Sequence, residues 1–211
     1  MIMEKTKTPV SIRIIFILNE IIFWLFNLVA LAAIVLVFLV LINHFGEDLQ
    51  LQVRLPNAFN ANLDGVLIGD NSSTNVRLVE AYGEIQFVNT PPRIARPFMI
   101  ILLLVIGAMY FMLFTLRKFM WSVNKGIIFD PKNIRRLRIL ALSLLTFWVF
   151  WVVYDILVMI LIARNLHFGT IDMINKTQSH AILLIFSLVL WALSHIFLKG
   201  LKLEEETSLT I

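Results

Sequence analysis

From Ile21 to Ile42 the chain carries no charged side chain. About 20 apolar residues in a helix cross the hydrocarbon core of a bilayer. In lipid a helix satisfies its own backbone hydrogen bonds, which an irregular segment does not. This run therefore predicts a membrane helix. Three more runs follow: Pro97 to Leu116, uncharged; Ile139 to Ala163, interrupted by Asp155; and Ala181 to Leu198, with His195 near its end. Composition agrees, with 59% of the 211 residues hydrophobic and 15% charged. Soluble chains are about 45–50% apolar and about 25% charged. Folding such an excess in water would leave large apolar patches exposed. The predicted fold class is an all-α membrane protein, a four-transmembrane-helix bundle with spans near 15–42, 97–119, 136–163 and 181–199.

A secretory leader has an apolar core of about 7–15 residues ahead of a small-residue cleavage site. The first run is longer and no A-x-A site follows it, so it is expected to stay as an anchor. The chain has no cysteine, which excludes disulfides, thiolate catalysis and thiolate-ligated metals.

Orientation follows from the placement of Lys and Arg. Lys5, Lys7 and Arg13 precede the first span. Arg117, Lys118, Lys125, Lys132, Arg135, Arg136 and Arg138 fall between the second and third, and Lys199 and Lys202 follow the fourth. The other side has Arg54, Arg77, Arg93, Arg96, Arg164 and Lys176, spread over far more chain. Both termini and the 117–138 loop are expected in the cytoplasm of a cell whose plasma (inner) membrane holds the protein. The net charge of +4 then suits anionic lipid head groups rather than nucleic acid.

Residues 43–96, expected on the outer side, are long for a connector. Leu49 to Leu55 alternates apolar and polar residues, a strand pattern, and Asn75 to Val88 holds similar runs. Gly69 to Ser73 reads as a turn. A small, mainly antiparallel β unit is predicted, with Pro91-Pro92 and Pro97 leading into the second span. Its acids, Glu47, Asp48, Asp64, Asp70, Glu80 and Glu84, lack EF-hand spacing and read as solvated strand edges and turns. A sheet edge of this kind is able to accept a peptide strand.

In the basic loop, Gly126 permits a turn and Asp130-Pro131 starts a helix. The aspartate accepts a first-turn N–H, and proline suits the first helical position. Gly126, Phe129, Asn133, Arg136, Leu137 and Arg138 form G-x-x-F-x-x-x-N-x-x-R-L-R. Phe197, Gly200 and Leu203 form F-x-x-G-x-x-L ahead of a closing Leu209-Thr210-Ile211. Together these resemble the signature of the domain-of-unknown-function 2975 family, small bacterial membrane proteins with four predicted helices. Where relatives tend to have glycine after Arg-Leu-Arg, this chain has Ala141. The resemblance implies no enzyme activity. Members are often thought to be encoded beside small helix-turn-helix regulators, which implies a cytoplasmic transcriptional regulator as partner. The chain has no DNA-binding motif of its own, and no direct nucleic-acid binding is expected.

Lys125, Phe129, Asn133, Arg135, Arg136, Arg138, Gly200, Leu209 and Thr210 are the candidate docking residues for a partner or lipid. The simpler reading of the cations among them is a topology signal. Glu20, Asn27 and Asp155 are the candidate intramembrane polar residues, since a charge at the bilayer centre costs at least about 2.5–3.5 kcal/mol. Asp155 falls about 25 Å beyond Arg138 in a continuous helix, towards the outer interface. His44, His167, His180 and His195 lack metal-binding spacing, and no catalytic constellation or phosphate loop is present. No enzyme and no cofactor are expected. The expected function is regulatory or sensory, and the alternative is a small transporter or channel component. Transport requires a wet polar line between helices; regulation suits a dry bundle with a binding surface.

Overall fold

The computed structural model describes residues 9–68, 73–87, 89–162, 172–174 and 180–209. Four long helices carry the chain: α1 (Val10–Leu41), α2 (Pro92–Asn124), α3 (Pro131–Leu161) and α4 (Ala181–Leu209). Each holds a segment apolar and long enough to cross a membrane. Most of their surface faces outward, and α1 is the extreme case. Its buried residues are Asn19, Phe23, Ala30 and Val37. The last three repeat every seven residues, a narrow stripe along one face of the helix. Leu28 and Leu31, at 70% and 68% exposure, are suited only to lipid. The protein is a multi-pass membrane helix bundle.

Between α1 and α2 lie β1 (Gln52–Ile68) and β2 (Ser73–Gln86), paired antiparallel from Gln52↔Gln86 to Ile68↔Ser73. The register shifts twice, between Arg54 and Ala58 and between Asn60 and Leu63, as β-bulges do. The predicted β unit is present. It also contains a strand the sequence pattern did not show: β3 (Asp172–Ile174), from the α3–α4 connection, pairs with Ala58 to Asn60 and makes β1 the central strand. A three-residue strand is too short to display alternation. The expected turn lies almost wholly outside the described residues, as do Arg164, His167 and Lys176.

The chain forms two compact units. One gathers residues 40–98 and 151–179. Its core is Val53, Leu55, Phe98, Val158 and Ile162, with Leu51, Ile85, Phe87 and Tyr154 packed against it. The period-two pattern places Leu51, Val53 and Leu55 on one strand face. The Tyr154 hydroxyl donates to the Arg54 carbonyl at 3.1 Å, and its ring meets Phe98 edge-on at 5.9 Å. The Leu51 N–H donates to Thr90 Oγ1 at 2.9 Å, tying the hairpin base to the residues ahead of α2. The α2 helix starts at Pro92, ahead of the apolar run, and takes Pro97 into its interior. Pro92 occupies the first helical position, where its missing N–H costs nothing. Pro97 removes one further bond, close to the helix start.

The second unit gathers residues 1–39, 99–150 and 180–211. It contains most of each apolar helix and the turn joining α2 to α3.

Candidate functional site at the α2–α3 turn

The turn begins with a Schellman cap. Gly126 takes φ of +78°, a left-handed conformation that suits glycine. Its N–H donates to the Val123 carbonyl at 2.9 Å and that of Ile127 to the Ser122 carbonyl at 3.1 Å, the two bonds that define this helix ending. The following helix opens with Asp130, whose Oδ1 accepts the Lys132 N–H at 2.6 Å. Its carbonyl accepts the N–H groups of Asn133 and Ile134.

Asn133 lies between these two caps, fully buried. Its Nδ2 is within hydrogen-bond distance of Ile127 O at 2.8 Å, Ser122 Oγ at 3.1 Å and Ile128 O at 3.2 Å. Two N–H bonds serve three acceptors, so one is shared. Its Oδ1 accepts from Arg136 Nη1 at 2.8 Å, and the same nitrogen reaches the Lys118 carbonyl at 3.1 Å. One amide therefore joins the end of α2, the turn and the start of α3. Arg136 extends the network back to α2.

The C-terminal motif meets this turn. The Phe129 ring packs on Gly200, where an added Cβ would stand 2.6 Å from Cε1, and lies 5.6 Å from the Phe197 ring. The absent side chain of Gly200 is what admits the ring. Ala141 is also fully buried, and its carbonyl accepts the Ser187 hydroxyl of α4 at 2.8 Å. A small residue at 141 thus lets α3 and α4 approach closely.

The remaining candidates divide by exposure. Lys125 and Arg135 are exposed, and the Lys125 ammonium lies 3.5 Å from the centroid of the Trp121 indole. Arg138 is half-buried. Leu209 ends α4, which continues as helix through Lys202 and the glutamates after it; Thr210 lies outside the described residues. Glu20 of α1 pairs with Arg117 of α2 at 2.6 Å, and Arg117 also stacks on Phe23 at 4.7 Å. Asn27 donates to the Phe23 carbonyl of its own helix at 2.7 Å. Asp155 is half-buried on α3, in the other unit.

Sequence reasoning missed Ser122, the Lys118 carbonyl and the partner of Glu20. The last had a signal. Glu20 stands just before the first uncharged run and Arg117 just after the second. Successive spans run in opposite directions, which brings these two boundaries to the same depth.

The family model that matches the chain, described as a protein of unknown function (DUF2975), covers residues 76–211. The chain belongs to the domain-of-unknown-function 2975 family. The match takes in both the DUF2975-like turn motif and the C-terminal motif, and β1 lies ahead of it. No curated protein and no solved structure matches the chain.

Proposed function

We propose that this is a non-enzymatic regulatory or sensory protein of the bacterial plasma membrane. Both termini and the α2–α3 turn face the cytoplasm, as the distribution of Lys and Arg favours. A small helix-turn-helix regulator docks on the exposed cations of the turn. The observation that carries the reading is that the motif residues Gly126, Phe129, Asn133, Arg136 and Gly200 are spent on building a rigid turn, not on lining a reactive cleft. Around that turn Lys125, Lys132 and Arg135 point to solvent.

The polar groups of the helices weigh against a transport path. Asn27, Thr115, Ser143 and Thr146 each donate to a carbonyl one turn back in their own helix. Groups satisfied in this way offer little to a moving ion or substrate. Any signal would pass as altered helix packing, with the Phe129–Gly200 contact the most direct route between α4 and the turn.

Two measurements test this. Reporter fusions at Asn71 and at the C-terminus should read as outside and inside respectively; an inside signal at Asn71 overturns the orientation. Affinity purification from detergent extract should recover a DNA-binding partner with the native chain. The triple variant Lys125→Gln, Lys132→Gln, Arg135→Gln should lose it while still inserting. Arg136 is left intact because its role in the turn would confound the result. A partner that binds both forms equally well removes the docking surface from the proposal.

A further inference from the structure

The α1–α2 pair carries a recess that differs in chemistry from the rest of the lipid-facing surface. Phe16, Glu20, Phe114, Arg117, Lys118 and Trp121 line about 430 Å³. Glu20 neutralises Arg117. Lys118 is exposed, with its ammonium 4.1 Å from the centroid of the Phe114 ring. Among the described residues no carboxylate pairs with it. The recess thus holds one positive charge in excess, in an aromatic frame suited to the head-group zone.

A second, open hollow of about 540 Å³ shares Phe16 and Glu20 with the first and lies along one face of α1, past Ile17, Ile21, Trp24, Leu25 and Leu28. From Phe16 to Leu28 the helix rises about 18 Å. One leaflet of hydrocarbon is about 15 Å deep. A cationic recess therefore adjoins an exposed apolar face of α1 long enough for one acyl chain. A free phosphate ion would leave that face unused. A zwitterionic head would bring its own cation against Lys118.

We propose that this recess is a binding site for one anionic phospholipid, its head group held by Lys118 and Arg117 and one acyl chain lying along α1. The site is separate from the partner-docking surface proposed above, so either proposal is able to fail without the other. Glu20 tunes the site by neutralising Arg117, which leaves Lys118 to select the charge of the head group.

Native mass spectrometry of the delipidated full chain in detergent tests this, with phosphatidylglycerol and phosphatidylcholine of identical chains as probes. One phosphatidylglycerol should be retained in preference. Lys118→Gln should weaken its binding about fivefold, the weight of one cation near an anionic head group. Lys118→Arg should keep it, and Lys132→Gln, which removes an equal charge outside the recess, should leave it unchanged. Equal binding of the two lipids overturns the site. So does a loss in Lys132→Gln as large as that in Lys118→Gln, which would mean attraction by net charge alone.

Discussion

At the α2–α3 turn a single buried amide, Asn133, holds the carbonyls of Ile127 and Ile128 and the side chains of Ser122 and Arg136 by hydrogen bonds. In the unit built on the hairpin, Val53, Leu55, Phe98, Val158 and Ile162 meet through apolar surface alone. The turn shows up as a sequence motif and the hairpin core does not. The reason lies in the two kinds of interaction. A hydrogen-bond network needs one chemical group at one spacing, and a buried member left unpaired costs about 1–3 kcal/mol. An apolar core accepts side chains of roughly the right volume in several combinations. It leaves only a period in the sequence, which β1 shows at Val53 and Leu55 and again at Phe59, Ala61 and Leu63.

The sharpest way to break this contrast is to exchange the penalties. Asn133→Leu keeps the volume and removes every side-chain bond at the hub. It should destabilise by about 3 kcal/mol, because Ile127, Ile128, Ser122 and Arg136 each lose a bond together, with only the Ser122–Ile127 and Arg136–Lys118 bonds remaining. Val158→Ala, at an equally buried site, should cost about 2 kcal/mol. Unfolding midpoints in detergent provide the comparison. If Asn133→Leu proves the milder change, the hub is not what holds the turn.

Gly126→Ala isolates the backbone. Nothing lies within 4 Å of the position of the added methyl, so its cost is the left-handed conformation alone, about 1–2 kcal/mol. Gly126→Asn should recover part of that, since asparagine tolerates this region. Equal stability of the alanine and glycine forms would mean that the cap relaxes and that its geometry is not required.

The smallest effect is a coupling. Gly200→Ala brings a methyl group against the Phe129 ring but also gains up to about 1 kcal/mol of helix propensity. The two terms nearly cancel in the native background. With Phe129→Ala the clash is gone and only the gain remains. A double-mutant cycle should therefore show about 1 kcal/mol of interaction between the two positions. No interaction would separate the C-terminal motif from the turn.

Much of the architecture was legible in advance. The four helices follow from long apolar runs, and the Asp130-Pro131 start of α3 follows from capping chemistry. The family resemblance also marked Gly126, Phe129, Asn133 and Arg136 as a set, without showing that Asn133 and Arg136 bond to each other. The i, i+3 interval allows the contact on a helix. The depth at which Asn133 is buried depends on how α2 and the turn close over it. Glu20 was visible as an acid near membrane depth, and its neutralisation by Arg117 came from the pairing of α1 with α2. Strand β3 was hidden because three residues cannot display a pattern, and its existence depends on the edge that β1 offers.

Residence in lipid as four helices follows from local chemistry, because transfer of a long apolar run out of water is a property of each run alone. Folding brought two motifs about sixty residues apart to one turn and set an excess cation beside an apolar face of α1. Those features depend on which surfaces meet, and contact between distant segments is a property of the folded chain that no single stretch carries.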